Sequence, residues 1–250
     1  MTADILKWQY YFISNYFIDK SRDVTVMMGA TDSEMISFSD LSDENFFINY
    51  NYTAEIAKGF TKVDEHMVDL VKEFYVGSDY VESVVEFGTD YWFGYPIDRC
   101  LKFYADNNVT VYRYVFTYYG GRNYVKAIGN SVYRGAAHGD DRRYIFDWRD
   151  LPGEIAEDDQ VVINRMTAMW TNFAKYGNPT PTTSDFLPVE WLPNTLDSKP
   201  YLLIDSMKVY DRGAQIFSHR PLRRRLSCWP RDCTRSLWIR GPGSIPGSSK

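Results

Sequence analysis

The chain has 250 residues, of which 44% are apolar and 17% aromatic, enough to bury a sizeable core in one large or two small domains. Its net charge of −5 is unevenly spread: residues 219–250 carry eight Lys/Arg against the single Asp232, which leaves residues 1–218 at −12. A body that acidic argues against a nucleic-acid partner, and no run of eighteen apolar residues is present to span a membrane.

The first stretch, MTADILKWQYYFISNYFID, has no basic segment before its apolar part. It reads as the middle of a domain and not as a signal peptide. Residues 24–30, VTVMMGA, are a short apolar, β-branched run that predicts a buried strand. They lead directly into Thr31-Asp32-Ser33-Glu34. Carboxylates just past the C-terminal end of a strand lie where α/β proteins place their sites. The spacing of Thr31 and Glu34 also fits a helix capping box, and the direction of the Glu34 side chain separates the two readings.

From Lys62 to Val76 the positions of Val63, Met67, Leu70, Val71 and Phe74 predict a helix, with Gly77 as its C-cap and His66 on its surface. A second helix is predicted over about Thr89–Asp106, carrying Trp92, Ile97, Leu101 and Tyr104, with Cys100 as a small buried hydrophobe. Two Asn-X-Thr sequons, at Asn51 and Asn108, favour a secretory lineage. Residues 109–119, VTVYRYVFTYY, give the strongest strand signal, ended by Gly120 and Gly121, and a helix followed by this strand predicts an αβ unit.

Ser131–Phe146, SVYRGAAHGDDRRYIF, then places His138 among small residues that let the backbone turn tightly. Imidazole is the side chain best suited to passing protons near neutral pH. Residues 158–176 predict the clearest helix, with Asp158 and Asp159 in its first turn, Val162, Met166, Met169 and Phe173 on one face, and Gly177-Asn178-Pro179 as a stop. YLLID, 201–205, predicts a last strand. The basic tail shows no periodicity and is expected to be disordered, and its Cys228 and Cys233 have no nearby His or Cys to complete a zinc site.

Together, GATDSE (29–34), VYRYVFTYY (111–119), GAAHGDDRRYIF (135–146), MWTNFAKYGNP (169–179) and YLLID (201–205) resemble the C-terminal half of a type-B carboxylesterase. This is the cholinesterase-like branch of the α/β-hydrolases, and the texture is nearest to insect esterases over roughly residues 20–212. The resemblance implies an α/β fold: the incomplete C-terminal part of an α/β-hydrolase, a mixed, mostly parallel sheet with flanking helices. Residues 1–212 would belong to that domain and 213–250 to a basic tail foreign to the family.

The resemblance also implies a Ser-Glu-His triad, in which Glu34 matches the acid, His138 matches the histidine, and Asp141 is structural. It implies a small-molecule carboxylic ester as substrate, with no metal and no cofactor, while the sequons at Asn51 and Asn108 point to a secreted parent protein. Met35 departs from the glycine usual after the acid, and Arg142 and Arg143 replace apolar positions. The 250 residues contain no Gly-X-Ser-X-Gly and no His-Gly-Gly-Gly. The chain is therefore expected to be an inactive piece of a serine esterase, with open edges on strands 24–30 and 109–119. A non-catalytic cholinesterase-like adhesion or binding protein and a degenerate gene product are the alternatives.

Overall fold

VMMGAT and VYRYVF form neighbouring parallel strands, β1 (Val26–Thr31) and β2 (Val111–Phe116), with Val26 opposite Val111 and Thr31 opposite Phe116. The computed structural model describes residues 24–39, 44–59, 63–77, 79–127, 133–147, 153–205 and 208–211. The described residues fall in the first of two units, Met1–Phe217, and the expectation for 213–250 concerns residues outside those described. β3 (Pro200–Ile204) pairs parallel with the other side of β2, and β4 (Lys208–Asp211), not foreseen from the sequence, closes the order β1-β2-β3-β4 antiparallel to β3.

β2 is thus paired on both sides, contrary to the expectation of an open edge there. Among the described residues the edge strands are β1 and β4, so of the two strands expected to be open only β1 is. The middle strands of a parallel sheet are covered on both faces, which is why β2 alternates two kinds of buried side chain. Tyr112 and Phe116 pack with Met166, Met169, Trp191, Leu202 and Ile204 on one face. Val111, Arg113 and Val115 face the other way, where Leu101, Phe93 and Ile97 lie.

The helices among the described residues are α1 (Glu44–Ile48), α2 (Tyr52–Gly59), α3 (Glu65–Tyr75), α4 (Tyr80–Thr89), α5 (Tyr95–Asp106), α6 (Tyr124–Ala127) and α7 (Glu157–Tyr176). Asp64 caps α3 by accepting from the His66 N–H at 3.0 Å. Val68, Val71 and Tyr75 form its buried stripe with Phe47, Ile56, Val84 and Phe87 of α1, α2 and α4. Leu70, expected on that stripe, is 38% exposed, because Val68 and Tyr75 take the inward face. Gly77 lies beyond the extended Val76 cap, where its N–H donates to Ser83 Oγ.

The helix expected from Thr89 starts nine residues earlier at Tyr80, where Asp79 accepts from the Glu82 N–H at 3.0 Å. Between α4 and α5 the backbone runs through a π-helical segment, Asp90–Gly94, in which the Tyr95 N–H reaches Asp90 O. Pro96 follows at once; it cannot donate to the carbonyl four residues back, and wide turns gather beside such breaks. α7 ends as its sequence predicts, on Gly177 at φ 65.

Gly29 lies opposite Tyr114, and a Cβ there would come within 2.5 Å of the Tyr114 ring and carbonyl oxygen. The missing side chain lets Tyr114 lie over β1 and carry its hydroxyl to Asp141 Oδ2 at 2.8 Å. Gly29→Val should destabilise the chain by about 1–3 kcal/mol. Urea unfolding measures it, and an unchanged midpoint would show that Tyr114 moves aside freely.

Candidate functional site

β1 and β2 are parallel and end at the same edge of the sheet, so the chain leaving each arrives in one place. Leaving β1, Asp32 donates its N–H to Phe116 O at 3.0 Å, and Ser33 donates its N–H to Ala136 O at 3.1 Å. Asp32 Oδ1 accepts from the Ala136 N–H at 2.9 Å. These bonds stitch the loop of residues 32–33 to the loop that carries His138, and Asp32 holds backbone there, not the imidazole.

Glu34 opens a short 3₁₀ turn, Glu34–Phe38, and is 4% exposed. Its Oε1 accepts from the Thr31 N–H at 2.8 Å, and its Oε2 lies 2.5 Å from His138 Nδ1. The two sequence readings of Glu34 therefore divide between its two oxygens. A full capping box is not formed, since Ser33 is the N-cap and the buried Thr31 Oγ1 has no hydrogen-bond partner among the described residues. An ionised carboxylate only accepts, so the proton of this pair sits on Nδ1.

The His138 side chain is 45% exposed, and among the described residues its other nitrogen, Nε2, makes no hydrogen bond. The hydrogen bond to Glu34 raises the His138 pKa above its ordinary value, with the carboxylate's charge adding to it; burial and Arg142 act the other way. An imidazole with a carboxylate on one nitrogen and an open second nitrogen can take a proton and return it.

Gly139 follows at φ 81, a left-handed turn that favours glycine, and the chain enters a second 3₁₀ turn, Asp141–Tyr144. Asp141 turns away from the imidazole to Tyr114. Arg142 is exposed, and the Arg143 guanidinium lies 4.6 Å from the centre of the Tyr124 ring, so both arginines fit positions usually apolar in the resembled pattern. Met35, the other departure, is buried against Gly88 of α4: a Cβ on Gly88 would come within 2.5 Å of Met35 Cγ. The bare Gly88 backbone leaves the room that the Met35 side chain fills.

Three features of the site escaped the sequence. Phe38 and Phe93 pack on the His138 ring, with centroids at 5.2 and 5.3 Å, and stack on each other at 5.9 Å. Asp140 is buried and accepts three hydrogen bonds. Asp159, assigned only a helix-dipole role, is 2% exposed and accepts from Tyr118 Oη at 2.9 Å and from the Gly121 N–H. The one signal available was the position of Asp140 inside the His138 motif. Among the described residues no group of His, Cys, Asp and Glu is arranged to hold a metal ion. No described helix is long and apolar enough to cross a membrane.

Bile salt-activated lipase of Homo sapiens is 29% identical over 209 residues, covering 72% of this chain and 27% of the lipase. The Mus musculus counterpart is 34% identical over 126 residues, covering 48% and 20%. Juvenile hormone esterase of Heliothis virescens is 23% identical over 180 residues, covering 64% and 31%. The chain thus spans a third or less of the length of these relatives. The model of the carboxylesterase family matches residues 14–220. The chain belongs to that carboxylesterase family, with the α/β-hydrolase fold of which its three parallel strands and flanking helices are a part.

Proposed function

We propose that this chain supplies the acid and the histidine of a Ser-Glu-His triad to an enzyme that hydrolyses carboxylic esters. The observation that carries the reading is the 2.5 Å pairing of Glu34 Oε2 with His138 Nδ1, while Nε2 stays open. His138 Nε2 takes the proton of the serine hydroxyl as its oxygen adds to the ester carbonyl, then gives that proton to the departing alcohol. Water repeats the cycle on the acyl-enzyme. Glu34 keeps the proton on Nδ1 and stabilises the imidazolium between the two transfers. Phe38 and Phe93 give the imidazole an apolar flank, which suits an ester with an apolar group. Asn51 and Asn108 are both exposed, in keeping with a glycosylated, secreted protein.

The serine is to be sought outside this sequence, which contains no Gly-X-Ser-X-Gly. The 250-residue chain should neither hydrolyse an aryl ester nor react with a serine-directed fluorophosphonate. The product of the longest transcript that encodes it should do both, with the label on a Gly-X-Ser-X-Gly serine. Labelling of the 250-residue chain itself overturns the proposal. A transcript with another residue at the serine position turns the reading into the non-catalytic binding protein.

A further inference from the structure

We infer that Asp140 is a positioning residue for His138, fixing the imidazole against Glu34 by tying its loop to the chain leaving β2; the inference rests on the function proposed above. Asp140 is 1% exposed and stands two residues after the histidine. Its Oδ2 accepts from the Ala137 N–H at 2.7 Å and from Asn123 Nδ2 at 3.0 Å, and its Oδ1 accepts from the Tyr124 N–H at 2.8 Å. Its own N–H donates to Ala137 O at 3.0 Å. His138 is therefore enclosed in a turn whose two flanks are closed by one carboxylate, and that carboxylate is anchored outside the turn.

The anchor is itself held. Asn123 is 0% exposed and uses all four of its hydrogen-bonding positions. Its Oδ1 accepts from the Gly120 N–H at 2.9 Å and from Tyr144 Oη at 2.8 Å. Its Nδ2 donates to Tyr118 O at 3.1 Å and to Asp140. Asp159 of α7 then holds Tyr118 Oη and the Gly121 N–H. A continuous set of polar contacts runs from the longest described helix to the residue before the histidine.

Packing alone would hold such a loop at less cost, because burying a carboxylate is unfavourable unless donors surround it. Burial pushes the Asp140 carboxyl up, and the hydrogen bonds from Tyr124, Ala137 and Asn123 oppose it. What a carboxylate with three N–H donors adds is placement of the backbone to within hydrogen-bond tolerance. Proton transfer needs that placement, since a displacement of about 1 Å can cost on the order of 100-fold in rate.

The test is the proton resonance of His138 in the full 250-residue chain, followed by NMR against pH. The chain has only three histidines, His66, His138 and His219, so assignment by substitution is direct. His66, on α3, makes none of these contacts and serves as the internal reference. In wild type, His138 should titrate above the ordinary imidazole value. Asp140→Ala should move that titration downward, with Glu34 untouched and the thermal transition still cooperative.

Should Asp140→Ala not fold, Asp140→Asn carries the test. It keeps the shape, but its one oxygen cannot replace both carboxylate oxygens, so the same downward movement is expected at smaller amplitude. An unchanged His138 titration in a folded Asp140 variant overturns the inference. Glu34→Gln separates the two ideas. If it leaves His138 unmoved, the Glu34–His138 pairing and the proposed function fail; if it moves His138 and the Asp140 variants do not, only the positioning role fails.

Discussion

Asp98→Ala is expected to destabilise the chain by about 3–5 kcal/mol, the loss typical of breaking a buried ion pair from one side. Arg113 lies on the central strand with its side chain 0% exposed, and its Nη1 donates to Asp98 Oδ1 on α5. Burial lowers the Arg113 pKa, and Asp98, by charge and hydrogen bond, opposes that. A guanidinium cannot shed its proton at ordinary pH, so without the carboxylate the charge stays in the sheet–helix layer and loses its Asp98 ion pair. Arg113→Met combined with Asp98→Leu removes both charges, and the pair should come within about 1 kcal/mol of wild type or exceed it. Urea unfolding with an unchanged slope and a shifted midpoint is the measurement. A loss below about 1 kcal/mol for Asp98→Ala alone would place this pair with weak surface pairs.

Arg113 also shows what could be read in the sequence and what could not. VYRYVF announced a strand because five of its six residues are aromatic or β-branched, and the arginine did not disturb that signal. That the arginine would be fully buried depended on Asp98, fifteen residues away on another element, and no local pattern records such a pairing. α7 was legible to within a residue because its apolar spacing, acidic first turn and glycine stop all agree. The start of α4 was missed although Asp79 and Glu82 have cap spacing and the Asp79 carboxylate accepts from the Glu82 N–H. β4 is four residues long, too short for alternation to show.

The site divides in the same way. Glu34 and His138 stand out because each sits past a strand among small or acidic residues, and the matching of motifs linked them across 104 positions. Apart from Asp140, the residues around His138 lie on segments with no motif of their own. Asn123 is seventeen residues from Asp140, and Phe93 sits in a π-helical turn that helical spacing cannot place. Short loops fixed by side-chain to backbone bonds carry no periodicity, so their chemistry emerges only when the strands bring them together.

In an ester-hydrolysing protein that contains this chain, Glu34→Gln should lower kcat by about 10⁴-fold and leave KM nearly unchanged. Glu34 is 4% exposed behind the imidazole, so it is placed to act on substrate only through His138. The Thr31 N–H decides how the amide sits: it needs an acceptor, so the glutamine oxygen stays with Thr31 and the NH₂ faces Nδ1. Nδ1 must then accept, the ring proton moves to Nε2, and Nε2 can no longer take the serine proton. The pH profile should change with it. Glu34 raises the His138 pKa from its ordinary 6.5, and the base form is the neutral one, so wild-type activity climbs as pH rises through that raised value. In the variant the rise should move to lower pH. Stability has the opposite sense: a raised histidine pKa stabilises the fold fully below about pH 6.5 and loses that contribution as pH rises through the folded value. The variant's deficit in urea unfolding should therefore be greatest in mild acid and shrink above neutrality. A kcat loss under about tenfold, or a pH profile that does not move, would remove Glu34 from the role of triad acid.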